Sequence, residues 1–228
     1  MMLGSDNCLD DRGYIEYIYL SEKLQMFKRI AAEALGISDI GIIVAPADYD
    51  KVAADDYVFH EDGEKIFFLI KSKKDEYCFT NLALIHVDGD SAISSKRAVK
   101  RYDYSSHKVS QVSIETAGTI DLDIELKFVL AGVTPFSIDL EKKCIEALKD
   151  IYKVLISISK IQAKEEIARS NALLCLQSTS SMYKIDKIEN EETIVKHYNA
   201  ILTNLNATML ERYTKRDFSN IFDKYIQR

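Results

Sequence analysis

One run of ligand-type side chains lies between Glu115 and Glu125, where Asp121, Asp123 and Glu125 follow one another at intervals of two. Several carboxylate oxygens are what a hard divalent cation requires. The spacing argues against a metal: strand residues two apart project about 7 Å from each other, and the glycine-containing loop of an EF-hand is missing. Acids alternating with apolar residues describe instead the wet face of a strand, open to solvent or to a contact. No metal site is expected.

Two basic clusters offer anion chemistry. Lys71, Lys73 and Lys74 could gather a phosphate or a lipid headgroup, but Asp75 and Glu76 follow at once, and a short lysine cluster in a turn is ordinarily a solvated loop. Lys96, Arg97, Lys100 and Arg101, with Tyr102 and Tyr104 beside them, combine phosphate-seeking cations with stacking rings. No recognition motif accompanies them, and the alternation predicts cross-strand ion pairs with neighbouring acids. The formal net charge of −6 leaves no global field to draw nucleic acid or anionic lipid. Nucleic acid is not expected as a partner, and membrane contact is the lesser reading.

The histidines, His60, His86, His107 and His197, are dispersed, and no G-x-S-x-G, H-E-x-x-H or phosphate-cradling glycine loop occurs. His86, between Ile85 and Val87, reads as a satisfied strand histidine. A Cys78 to His86 pairing across adjacent strands is open but lacks a third orienting group. Cys8, Cys78, Cys144 and Cys175 are too far apart for a zinc or redox motif and read as reduced thiols, with Cys144 and Cys175 as small core residues in apolar helical stretches. An enzyme is not expected, nor a cofactor.

The elements that position these groups follow from periodicity. Apolar residues make up 47% of the 228 residues and charged residues 29%, with 2 Pro and 8 Gly, which is the composition of an ordinary folded chain. No apolar run approaches the length that crosses a membrane and the first residues lack a signal-peptide pattern, so a cytoplasmic location is expected. Ile15, Ile18, Leu24, Phe27, Ile30, Ala31 and Ala34 recur near a helical period before Gly36, predicting an N-terminal helix. The stretch from Ile37 to His60 reads as a connection with a short helix near Asp48 to Ala54.

Seven strands are predicted next: Lys65 to Lys71, Glu76 to Thr80, Leu82 to Asp88, Arg97 to Tyr104, Val109 to Ala117, Ile120 to Leu130 and Thr134 to Ile138. Asp139 is placed as the N-cap of a helix to about Ile156, and the helical pattern continues to Leu176. Ile194, Tyr198, Ile201, Leu205, Met209 and Tyr213 then form one apolar stripe at steps of three and four. That stripe either folds back on the preceding helix or pairs with another chain.

Between Val112 and Leu130 the chain reads VSIETAGTIDLDIELKFVL, a strand, a turn and a strand whose Leu122, Ile124, Leu126, Phe128 and Leu130 alternate with Asp121, Asp123, Glu125 and Lys127. This ETAG-x-x-DLD-x-EL run resembles the signature of the bacterial pleckstrin-homology (PH) domain family, in its YvbH-like branch. KIFFLIKSKKDEYCFTNLALIHVDG, from Lys65 to Gly89, resembles that family's first strands, and the resemblance runs from about Leu35 to Leu155. The stretch from Ser94 to Lys108 departs from the pattern.

The resemblance implies an α+β chain: a PH-like orthogonal β-sandwich or partial barrel of seven strands, capped by a C-terminal helix. To it are added an N-terminal helix (1–36) and a helical extension (157–228) about the PH-like domain (37–156). It also implies ring-like or dome-like homo-oligomers, with the extension contributing to assembly. Glu115, Thr116, Gly118, Asp121, Asp123 and Glu125 are then expected to form an intersubunit surface. Lys71, Lys73 and Lys74 fall where lipid-binding eukaryotic PH domains gather basic residues, the alternative being peripheral membrane or phosphate binding there. The leading expectation is a non-enzymatic homo-oligomeric scaffold that binds itself and a further protein partner.

Overall fold

The computed structural model of the chain describes residues 40–89, 97–116, 123–132, 135–182 and 191–226. The expected N-terminal helix, Cys8, Lys96, Gly118 and Asp121 lie outside the described residues. All seven expected strands are present, and an eighth, short one precedes them. In chain order they are β1 (Ile42–Ile43), β2 (Ile66–Lys71), β3 (Glu76–Thr80), β4 (Ala83–Gly89), β5 (Arg97–Asp103), β6 (Val109–Thr116), β7 (Asp123–Leu130) and β8 (Phe136–Glu141). They form two antiparallel sheets, β1-β2-β3-β4-β5 and β6-β7-β8. The sheets meet on one side through a bridge between Gly41 and Leu140, where the Gly41 N–H donates to the Asp139 carbonyl at 2.7 Å. A Cβ on Gly41 would stand 2.8 Å from Ile70 and 3.0 Å from that carbonyl, so the close approach requires glycine.

The alternation of β7 and β8 places Ile124, Leu126, Phe128, Leu130, Phe136, Ile138 and Leu140 inward. In β6 the inward residues change parity, Val109 against Val112 and Ile114. The ladder slips between Ser110 and Ser113, with Gln111 at φ 51°, and this bulge turns all three toward the same core. A similar slip in β2 lets Phe67, Phe68 and Ile70 face one side while Ile66 and Leu69 face the other.

The five-stranded sheet is therefore covered on both faces. Its inner face meets β6-β7-β8 and the helices. Its outer face carries a second core of Leu69, Cys78, Ile85 and Val87 beneath Val44, Val52, Ala54 and Val58. The covering segment, expected as a connection with one short helix, is β1 followed by 3₁₀ turns at Pro46–Lys51, Ala53–Tyr57 and His60–Asp62.

Three helices follow: α1 (Ile145–Met182), α2 (Glu191–Ala207) and α3 (Ser219–Tyr225). Asp139 is not a helix N-cap, contrary to expectation. It is an outward position of β8 opposite Glu125, because Phe136, Ile138 and Leu140 continue the strand alternation past it. α1 is one unbroken helix of 38 residues, so the expected domain boundary at 156/157 falls inside it. Leu148, Ile151, Val154, Leu155 and Ile158 of its first half are buried against the sheets. The expected stripe from Ile194 to Tyr213 is interrupted by a π-helical turn (Thr208–Arg212), and an irregular segment follows it. α3 then turns back to bury Phe218 and Phe222 fully in the PH-like core.

Candidate functional site

The acidic hairpin face is held by its own cation. Lys127 lies between Glu115 at 2.7 Å and Glu125 at 2.8 Å, and Ser137 donates to Glu125. Those bonds raise the Lys127 ammonium above its ordinary value and lower the Glu125 carboxyl, Lys127 being the larger cause and Ser137 the second. Asp139 sits across from Glu125. Partial burial, then Glu125 and Asp123, push its carboxyl upward. Glu115 and Thr116 are exposed at the end of β6, and Asp123 and Glu125 are half-buried on β7. Among the described residues, no three His, Cys, Asp or Glu side chains are arranged to hold a metal ion.

The three lysines of the alternative site separate. Lys71 is buried and ion-paired with the buried Glu76, which also accepts the Ala54 N–H at 2.7 Å. A lysine so engaged presents no charge to solvent. Lys73 and Lys74 are exposed on the turn that the Ser72 N–H closes by donating to the Asp75 carbonyl at 2.8 Å. Asp75 engages His86 at 3.0 Å, and the His86 ring stacks on Tyr77, 4.6 Å away and 9° from parallel. Burial, with Asp75 adding to it, pushes the Tyr77 phenol well above its usual range.

The register places Tyr77 opposite His86 and Cys78 opposite Ile85, so Cys78 and His86 occupy opposite faces of the sheet and the Cys78 to His86 pairing is excluded. Burial pushes the Cys78 thiol up, which makes it a poor nucleophile. Of the other two described thiols, Cys144 packs at the margin of the core and Cys175 is not a core residue, contrary to expectation. Cys144 is half-buried in a 3₁₀ turn, and Cys175 is exposed on the distal part of α1, beyond the sheets that bury its first half.

The second basic cluster forms ion pairs of the expected kind. Lys100 reaches Asp88 on β4 at 2.7 Å, Arg101 reaches the buried Glu64 at 3.0 Å and Asp103 at 2.9 Å, and Arg97 lies 3.9 Å from Glu76. Glu64 also accepts the Phe59 N–H at 2.9 Å and the Thr80 hydroxyl, so β5 is tied to the covering segment. Where the two meet lies a cavity of about 540 Å³ walled by Asp55, Asp56, Tyr57, Phe59, Val99 and Arg101 among others. Nothing in the earlier residue pattern singled it out. The one available signal was Tyr57 and Phe59, two aromatic side chains in an otherwise acidic stretch.

A further exposed surface lies on the extension. Ile194, Tyr198, Leu202, Leu205 and Met209 on and just after α2, together with Ile167 and Leu174 on α1, present large apolar side chains outward. Ile201 and Tyr213 of the expected stripe are half-buried. No described helix is long and apolar enough to cross a membrane.

Two sheets joined edge to edge at Gly41 and closed over by a helix are the arrangement that the hairpin wording implied. The model of the bacterial PH domain family matches residues 34–159, more than half of the chain. The chain belongs to the bacterial PH domain family. It is 51% identical over 203 residues to the uncharacterised protein YvbH of Bacillus subtilis strain 168, covering 88% of this chain and 99% of that one. To the uncharacterised protein YjqA of the same strain it is 35% identical over 97 residues, 42% of this chain and 76% of that one. A crystal structure of a PH-domain-containing bacterial protein from Exiguobacterium sibiricum 255-15 is similar with a TM-score of 0.75 and 42% identity, over 82% of this chain and all of the other. The similarity to the YvbH protein and to the Exiguobacterium structure covers more of this chain than the PH domain alone, and so takes in part of the C-terminal helices.

Proposed function

We propose that the protein is a non-enzymatic interaction module, which assembles with copies of itself through its helical extension and offers the PH domain to a protein partner. The observation that carries this reading is the apolar row on α2. Ile194, Tyr198, Leu202, Leu205 and Met209 step by four, four, three and four, so they share one helix face, and that face is exposed. The chain's own last helix does not cover it, since α3 turns away to fill the PH core. An apolar helix stripe of this kind is the usual seam between helices of two chains. The buried and ion-paired state of Lys71 weighs against the alternative of membrane or phosphate binding through Lys71, Lys73 and Lys74.

The full chain in native mass spectrometry and light scattering is expected to be oligomeric at micromolar concentration. Tyr198→Lys with Leu205→Lys, both at exposed positions, is expected to yield folded monomer. A strict monomer for the unaltered chain across that range overturns the assembly reading. Liposome co-sedimentation that recovers the chain with anionic but not neutral vesicles restores the membrane alternative.

A further inference from the structure

The outer edge of β5 and the cavity beside it form one continuous feature, and its chemistry specifies an occupant. β5 is the last strand of its sheet, and among the described residues no strand pairs with its outer edge. The Tyr104 N–H donates to the Leu82 carbonyl at 2.9 Å. Ladder bonds alternate, so the N–H groups of residues two apart, Tyr102, Lys100 and Ala98, face β4. Those of Val99, Arg101 and Asp103 then face away from the sheet. The same Val99 and Arg101 place their side chains in the wall of the cavity. An extended segment hydrogen-bonded to these outward groups would set every second side chain over that opening.

The opening has aromatic and acidic walls. Tyr57 and Phe59 are about half exposed, and Asp55, Asp56 and Glu61 line the rim. Of the basic side chains nearby, His60 engages Asp55 at 2.9 Å. Arg101 lies over the Phe59 ring at 4.9 Å with its charge already met by Glu64 and Asp103. Arg97 and Lys100, charges of the kind that keep a sheet edge from pairing indiscriminately, likewise lie near acids of their own sheet. The excess at the rim is negative. Aromatic faces beside carboxylates favour the stem and head of a lysine or arginine side chain.

We infer that the β5 edge binds an extended segment of a partner protein by strand addition, with a lysine or arginine side chain of that segment seated in the cavity between Tyr57, Phe59, Asp56 and Glu61. This rests on the protein-interaction part of the proposed function and not on self-assembly.

A library of random ten-residue peptides displayed on phage, selected on the full chain, tests it. Enrichment of sequences with a lysine or arginine at one fixed position among β-branched residues is expected. A synthetic peptide of the enriched sequence should lose at least tenfold in affinity on Val99→Pro, which deletes one outward donor at an edge where proline is tolerated. It should lose its preference for a basic over a neutral residue on Asp56→Asn with Glu61→Gln, both at exposed positions. Unchanged melting curves would show that the variants fold. Peptides that are enriched without a basic residue, or that bind both variants as well as the parent, overturn the site and leave the interaction reading standing. No enrichment of any peptide overturns both. Loss of the oligomer on Val99→Pro would make a second copy the occupant of this edge, and overturns the inference as well.

Discussion

The ring of Phe222 on α3 lies 4.9 Å from that of Phe67 on β2, inclined by 31°. Phe218, one turn earlier, meets the Tyr104 ring edge-on at 5.8 Å, and its N–H donates to the Asn81 carbonyl at 2.9 Å. α3 is thus a piece of the PH core, although α1 and α2 lie between it and the sheets in sequence.

Phe222→Ala is expected to cost about 3–5 kcal/mol, the usual range for emptying a fully buried phenylalanine site. Denaturant unfolding of the full chain measures it. A loss below about 1 kcal/mol would mean that α3 does not hold this seat in solution. A truncation at Ser157 would remove α3 as well as the assembly face, and its effect on oligomer state would be inseparable from damage to the fold.

Glu76→Ala is expected to cost about 3–5 kcal/mol, because it leaves the buried Lys71 ammonium without its counter-charge and the Ala54 N–H without its acceptor. The covering segment should loosen first. Hydrogen exchange resolved by residue would show faster exchange at 46–62 than in the three-stranded sheet, and uniform exchange would contradict this.

Tyr104→Phe is expected to stabilise. The side chain is buried, burial pushes its phenol well above the ordinary value, and among the described residues no partner reaches its hydroxyl. Removing a buried hydroxyl without a partner recovers about 1–3 kcal/mol of desolvation. Destabilisation in the same denaturant assay would reveal a partner for it.

Asp139→Asn is expected to help at neutral pH and not in acid. Partial burial, with Glu125 and Asp123 adding repulsion, raises the folded-state carboxyl above its ordinary 3.8. The folded state then holds the proton more tightly than the unfolded one, so stability falls as pH rises through the window above 3.8. The asparagine lacks that loss. Melting temperatures of the two proteins should differ at pH 7 in favour of the variant and converge below the ordinary aspartate value. A constant gap at all pH values would assign the effect to packing instead.

Strands were legible where alternation was strict, as in β7 and β8, and where turns bracketed short β-branched runs, as from Ile66 to Gly89. The two-sided burial of the first sheet was not drawn from the pattern, although the unbroken apolar run from Ile66 to Ile70 carries it. Its cover, residues 44–58, has mostly small apolar side chains and no helical period, since 3₁₀ turns bury single residues such as Val52 and Ala54 at irregular intervals. The seat of Phe218 and Phe222 was hidden for another reason. Helical spacing reports that a face is apolar, and says nothing of which surface it meets.

Lys71 belongs to the same class of limits. As a lysine beside a turn it reads as solvated, and only the burial of Glu76 directly across β2 and β3 turns it into an internal counter-ion. The acidic hairpin face was legible as to its residues, Glu115, Asp123 and Glu125, and as to its alternation. Its neutralisation by Lys127 depended on the cross-strand register, which a single strand does not contain.

One glutamine has a mechanical consequence. Gln162 on α1 accepts the Val109 N–H at 2.8 Å and donates to the carbonyls of Tyr104 at 2.6 Å and His107 at 3.1 Å, so it pins the helix to the chain between the two sheets. Beyond that pin α1 continues for twenty residues without glycine or proline, roughly 30 Å at the ordinary helical rise. The first turns past it are tied as well: Glu166 pairs with Lys108, Glu165 accepts the Lys215 N–H at 2.9 Å, and Arg169 donates to the Tyr213 carbonyl at 3.2 Å. Neighbouring copies joined through the extension, as proposed above, would inherit their spacing and tilt from the way Gln162 and these ties seat the helix on its own domain.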